Sequence, residues 1–234
     1  MKRGDFIWAG VLACLVMALL NSASHSAIMY ATKLHPYAMG FVKFGILASM
    51  GELLAVRIVG GEWSFPSGMI NRTFIWGLLG FCLVAMFTVF SNGASDALQL
   101  GILPGGQYGS TLIRAIWTSV LLNLAFGPVL MCGHRILDTY VDLAGGRLFK
   151  LSSVRLRAVI THIDWHNLIE VVCFKMLVFF WIPAHTITFL LPAEYRLLYA
   201  ASLSLALGVI LAFAKSHRPQ RRAFTFRPLL GNEI

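Results

Sequence analysis

Residues Thr73–Ser91 read TFIWGLLGFCLVAMFTVFS, nineteen positions without one Asp, Glu, Lys, Arg or His. A helix of about 20 apolar residues crosses the ~30 Å hydrocarbon core of a bilayer, and this run has that length and composition. Five further runs extend the pattern on either side: Phe6–Asn21, Tyr37–Val59, Leu112–Arg135, Leu168–Leu191 and Leu197–Ala214. The second run carries Lys43, Glu52 and Arg57, and the fifth carries Glu170, Lys175 and Pro183. Of the 234 residues, 58% are hydrophobic and only 12% charged, with mean hydropathy +0.74. A soluble domain has about 25% charged residues. A water-soluble globule, a disordered chain, collagen, a coiled coil and a disulfide-stapled module are therefore excluded. The fold class read from the sequence is an all-α polytopic membrane bundle of about six transmembrane helices. One transmembrane domain is expected over residues 1–214, with a basic cytoplasmic tail over 215–234.

The net charge of +9 is distributed unevenly. With the N-terminus inside and six spans, fourteen of the nineteen basic residues, from Lys2 to Arg227, fall on the inner side. Lys33, Lys43, Arg114 and Arg196 fall on the outer side, and Lys175 lies within a span. This asymmetry follows the rule that cytoplasmic loops are rich in Lys and Arg. It predicts both termini inside and needs no nucleic-acid partner to account for the charge.

The N-terminus allows two readings. Lys2–Arg3, the apolar stretch after it and Ser22–Ala23–Ser24 have the three regions of a secretory signal, whereas an uncleaved first helix gives six spans. The inner loop Thr139–Asn167 places Leu156, Val159, Ile160 and Ile163 at helical spacing within Leu148–Ile163. That segment fits a basic amphipathic helix lying in the inner interface, or equally a solvated loop. The glycine-rich stretch Gly101–Gly109 (GILPGGQYG) lacks the flanking strand of a phosphate loop and reads as a turn. Cys14, Cys82, Cys132 and Cys173 all lie in apolar runs without metal-ligand spacing, and read as buried thiols.

Ionisable residues within spans are the first chemical signal, since each costs about 2.5–3.5 kcal/mol at mid-depth on insertion scales. Counting at 1.5 Å per residue from the inner surface puts Glu52 about 10 Å deep and Lys175 about 12 Å deep. Matched depth makes them candidates for an ion pair or for the walls of one polar cavity. The alternative is that each reaches its own interface, with Lys175 snorkelling to the headgroups. Glu170, His185 and Asn123 are further candidates for a polar interior or pore. Small residues Gly45, Ala48, Ser49 and Gly51 predict a face of the second span that meets another helix rather than lipid. His162 and His166 have the i,i+4 spacing of metal ligands, but no third ligand stands nearby. No nucleophile elbow, Ser-His-Asp set, Walker pattern or pair of intramembrane aspartates is present, so no enzyme activity, cofactor or bound metal is expected.

Two stretches resemble a known family. Gly127–Pro128 followed by Arg135, Leu137 and Asp138 resembles a motif in which Gly-Pro precedes an aromatic or basic residue and then Leu-Asp. Trp181, Pro183, Phe189, Pro192 and Arg196 resemble a second motif built on Trp-Pro, Gln, Asn-Phe, Pro and an Arg four residues on. Both belong to the family of Mpv-seventeen and the twenty-two-kilodalton peroxisomal membrane protein. Ile182 separates Trp181 from Pro183, His185 stands near the Gln position and Thr188 replaces the Asn, so the chain resembles a divergent, bacterial relative. The resemblance spans about residues 108–214. It implies a small helical membrane protein, some of whose relatives are described as weakly selective channels for small solutes.

Two functions are therefore expected. One is a small-solute pore or transport-like protein of the bacterial inner membrane, channel-like and able to form a homo-oligomer. The alternative is a non-conducting scaffold or lipid-sensing factor. The lipid bilayer is the expected partner, with anionic lipid held at the basic inner face at about 1 kcal/mol per Lys or Arg.

Overall fold

The computed structural model describes residues 2–105 and 110–216. Within them run α1 (Arg3–Leu20), α2 (Ser22–Leu34), α3 (Pro36–Gly60), α4 (Met69–Gln99), α5 (Thr111–Leu121), α6 (Gly127–Leu143), α7 (Leu156–His162), α8 (Ile182–Leu190) and α9 (Ala193–Ser216). Wider, π-type turns join α5 to α6 over Leu122–Phe126 and lead into α8 over Asn167–Trp181. No strand occurs among the described residues. Six helical runs are long and apolar enough to cross a membrane: Arg3–Leu20, Pro36–Gly60, Met69–Gln99, Thr111–Leu143, Asn167–Leu190 and Ala193–Ile210.

These runs match the six stretches read from the sequence, with three differences. Ser22–Leu34, expected as a connection, is a helix in its own right, started by the Asn21 side chain accepting from the Ala23 and Ser24 amides. The fourth run continues as helix to Leu143, so Thr139–Leu143 is helical and the inner loop begins later than expected. The amphipathic segment Leu148–Ile163 is not one helix but a 3-10 turn, Leu148–Ser153, followed by α7. Val154 and Arg155 are extended between the two pieces. Residues 106–109 of the glycine-rich stretch, and the tail from 217 on, lie outside the described residues.

α3 lies between α4 and α9 because its small residues let both approach closely. A Cβ on Gly80 of α4 would stand 2.4 Å from the Gly40 carbonyl oxygen, and one on Gly51 would stand 3.0 Å from the Leu205 Cα of α9. Ser49 Oγ and Thr73 Oγ1 lie 2.8 Å apart at the same α3–α4 seam. The small face predicted at Gly45, Ala48, Ser49 and Gly51 thus meets helices. The main apolar cluster joins Phe44, Leu83, Phe87, Leu122, Phe189 and Ala201, drawing together α3, α4, the α5–α6 run, α8 and α9. α1 buries no residue. It is fastened instead by polar groups: Asp5 accepts from Arg57 Nε at 2.8 Å and from Trp63 Nε1 at 2.7 Å, and Trp8 Nε1 donates to the Met50 carbonyl at 3.1 Å.

At the end of the bundle where α4 begins, Gly68 and Gly146 cross so closely that a Cβ on Gly146 would stand 2.3 Å from the Gly68 nitrogen. Both have positive φ, a region that glycine adopts without a Cβ penalty. Asn71 Nδ2 donates to the Gly146 carbonyl at 3.1 Å across this crossing. The register so fixed brings the start of α4 against the last turns of α6. The outward faces of the long helices are apolar, with Phe74, Val129, Phe174 and Phe179 each more than half exposed.

Candidate functional site: a cavity inside the bundle

A cavity of about 330 Å³ runs between α3, α4, the α5–α6 run, the π-type segment before α8, and α9. Its middle is walled by Phe44, Leu83, Phe126, Leu130, Leu177 and Trp181. Polar groups reach it at two levels. Both π-type segments contribute to the wall, through Leu122, Asn123 and Phe126 in one and Val172, Leu177 and Trp181 in the other. Each π-type segment runs up to a helix with proline at its second position, Pro128 in α6 and Pro183 in α8. Proline has no N–H to give to the preceding turn, and single π-type turns such as Leu122–Phe126 recur at functional sites.

At one level stand Asn123 and His185, both buried. Asn123 Nδ2 donates to the Ser119 carbonyl at 2.8 Å, and Ser119 Oγ donates to the Ile182 carbonyl at 2.7 Å. His185 Nδ1 lies 3.1 Å from Asn123 Nδ2 and 3.2 Å from Asn123 Oδ1. The imidazole packs against Trp181, with ring centroids 5.1 Å apart, and edge-on to Phe87 at 5.8 Å. With Nδ1 held by the amide and the ring on the cavity wall, Nε2 remains for a ligand.

At the other level stand Glu52, Trp76, His134, Arg135 and Asp138. Arg72 of α4 organises this end. Its guanidinium bonds to Asp138 and to Asp142 of α6, and Nη1 lies 3.4 Å from Glu52 Oε1. Trp76 Nε1 donates to Glu52 Oε2 at 3.2 Å, and the indole packs against His134 with centroids 4.3 Å apart and the rings tilted by 37°. Asp138 and Asp142 are one helical turn apart, so both carboxylates face the same side of α6. Buried charges of this kind are held by mutual pairing and hydrogen bonds. The cluster ties α3, α4 and α6 together at the mouth of the cavity.

Glu52 and Lys175 do not pair. Glu52 turns inward to Arg72 and Trp76, whereas Lys175 Nζ donates to Glu170 Oε1 at 2.6 Å, with both of those side chains about half exposed. Equal depth fixed neither side chain's direction around its helix, and the π-type winding from Asn167 turns Lys175 away from the bundle. His166 Nε2 also lies 2.9 Å from Glu170 Oε2, and both side chains stand on the outside of the bundle. Of the five polar-interior candidates, Glu52, Asn123 and His185 line the cavity and Lys175 and Glu170 do not. His162 ends α7 and Ile163 is extended, so His162 and His166 do not share a helix face. No cluster of three metal-ligating side chains occurs among the described residues.

The residues of the two family-like stretches have definite places. A Cβ on Gly127 would stand 3.0 Å from the Leu177 side chain, so this glycine lets α6 and the π-type segment approach. Asp138 joins the Arg72 cluster, and Trp181 walls the cavity. Pro192 stands in the break between α8 and α9. Arg196 closes that break by donating from Nε to the Leu191 carbonyl at 3.0 Å and from Nη2 to the Phe189 carbonyl at 3.4 Å. The Arg72 cluster was not anticipated from the sequence. Its available signal was the i,i+4 pair Asp138 and Asp142, which read as a helix end and a loop.

No protein-family model matches the chain, and no curated protein and no solved structure matches it.

Proposed function

We propose that this is an integral membrane protein of six spans that binds a small solute within its bundle and moves it across the bilayer. The observation that carries this reading is the cavity between the helices, apolar in its middle and polar at both levels. Small-molecule sites in helical bundles have this construction, and 330 Å³ falls at the small end of their range. The apolar outward faces of the helices support insertion in lipid, and the inner excess of Lys and Arg supports a cytoplasmic location for both termini. The Gly127–Pro128 and Trp181–Arg196 stretches support a distant relationship to the Mpv-seventeen family, and a bacterial inner membrane as the location. On this reading Glu52, Asn123 and His185 contact the solute, and the Arg72 cluster closes the inner end until its ion pairs rearrange.

Purified protein in liposomes tests this directly. Efflux of small polar solutes should exceed that of empty liposomes, and Ser204→Phe, which places a ring in the cavity, should stop it. Tight liposomes at high protein density would refute transport.

A second reading has its own observation. Arg147, Lys150, Arg155 and Arg157 are exposed beside the outward side chains of Leu148, Phe149, Leu156 and Ile160, while Val159 is wholly buried and anchors α7 to the bundle. A surface of this kind holds anionic lipid and suits a lipid-sensing scaffold. Protein that is tight to solutes but gains thermal stability selectively in anionic lipid would favour it.

A further inference from the structure

Three of the four basic residues that fall on the outer side of the charge map do not scatter. Lys33, Lys43 and Arg196 come together around a second pocket, of about 400 Å³, at the end of the bundle where α3 and α9 begin and α4 ends. Its polar lining comprises Thr32, Lys33, Ser91, Asn92, Glu194 and Arg196, with Thr88 on the rim. Lys43 lies behind the wall and is only 7% exposed. Its ammonium donates to Thr32 Oγ1 at 2.7 Å, and Thr32 in turn donates to the Ile28 carbonyl. No carboxylate lies within ion-pair distance of Lys43 among the described residues, although a buried ammonium is ordinarily paired.

The pocket holds one acid against these cations. Glu194 stands 3.7 Å from Lys33, an exposed and loose pair. Arg196 spends Nε and Nη2 on backbone carbonyls, and the residue lines the pocket. Three cations and one carboxylate give a local excess of two positive charges. Ser91 and Asn92 add side-chain donors that make no hydrogen bond to the described protein. A pocket lined by one guanidinium and one ammonium, with a buried ammonium behind Thr32 and neutral donors on its wall, has the chemistry that recognises an oxyanion.

We propose that this pocket binds a phosphate group, with Lys43 as the buried counter-charge and Lys33 and Arg196 at its rim. The group can be free phosphate or the phosphate of a lipid headgroup, since both present the same oxygens. The site is separate from the central cavity and does not depend on solute transport.

The test uses the full-length protein in nanodiscs. In zwitterionic discs, inorganic phosphate is titrated against chloride at matched ionic strength and the melting temperature is followed. A second arm compares discs with and without phosphatidylglycerol, in the absence of phosphate. A saturable rise with phosphate identifies the free anion as the ligand, and a rise only with phosphatidylglycerol that Lys43→Met or Lys33→Gln removes identifies the headgroup at this pocket rather than at the basic inner loop. In either case Lys43→Met should weaken the half-saturation point roughly ten-fold or more, as expected when a poorly solvated counter-charge close to the anion is removed. Lys175→Gln, which lines neither pocket and pairs with Glu170, should leave it unchanged. If Lys43→Met does not fold, Lys33→Gln carries the test, because that side chain is exposed and its loss should weaken binding without harming the fold. The proposal is overturned if neither arm gives a saturable shift, or if the shift is the same in the Lys43 and Lys33 variants as in the native protein.

Discussion

Arg72, near the start of α4, is bonded to Asp138 of α6, 66 residues away, at the mouth of the central cavity. The two side chains are only 10% and 15% exposed, and the same guanidinium reaches Asp142 and Glu52. One cation therefore serves three carboxylates from two helices. Removing it strands charge in a poorly solvated place, which is a larger effect than the pair's net contribution.

Arg72→Met should accordingly lower unfolding free energy by about 3–5 kcal/mol. Asp142→Asn should cost less than about 1 kcal/mol, because Asp142 is half exposed and solvent screens it. Thermal or denaturant unfolding in detergent measures both. Equal effects at the two positions would mean that burial does not grade the cluster.

Lys175 should behave as a surface residue. Its partner Glu170 sits five positions before it, and both are about half exposed. Lys175→Met should change stability by about 1 kcal/mol or less, and its effect should add to that of Glu52→Gln. A double-mutant cycle in detergent checks this, and a coupling well above 0.5 kcal/mol would contradict the separation of the two side chains.

The contrast between these two pairs shows what the sequence encodes. Six long apolar helices were legible because apolar composition over about 20 residues is a one-dimensional signal. The small face of α3 was legible because Gly45, Ala48, Ser49 and Gly51 recur at helical spacing. Glu52, singled out as a charge within an apolar run, does lie on the cavity. Direction around a helix was not. It depends on every residue winding alike, and the π-type segments Leu122–Phe126 and Asn167–Trp181 wind the chain by smaller steps through i→i+5 bonds. Arg72 looked like one more inward-side charge, and its role appears only once the Gly68–Gly146 crossing sets α4 against α6.

That close packing makes glycine substitutions selective. A Cβ on Gly80 would stand 2.4 Å from the Gly40 carbonyl oxygen, whereas one on Gly10 would meet nothing within 4 Å. Gly80→Ala should lower stability by about 1–3 kcal/mol, the ordinary range for overpacking, and Gly10→Ala should not lower it. Gly45→Leu should also destabilise, because even its Cβ would stand 3.3 Å from the Thr73 carbonyl oxygen. The melting temperatures in detergent order the three, and a stable Gly80→Ala protein would show that α3 and α4 can separate freely.

Asn123 and His185 offer the sharpest test of the cavity's polar end. They are 2% and 7% exposed and meet across α5–α6 and α8, so each supplies the other's buried partner. His185→Leu leaves the Asn123 amide with only its Ser119 bonds, and Asn123→Leu leaves His185 Nδ1 facing apolar walls. Either change should cost about 1–3 kcal/mol, the penalty for an unmet buried polar group. Replacing both removes the need for a partner, so the double variant should be less destabilised than the sum of the singles. If the effects simply add, the imidazole is satisfied elsewhere and the pair is not a unit. Solute flux separates the structural role from the functional one. A double-leucine variant that melts near the native temperature yet no longer transports would assign the lost function to the polar contact with solute rather than to a weakened bundle.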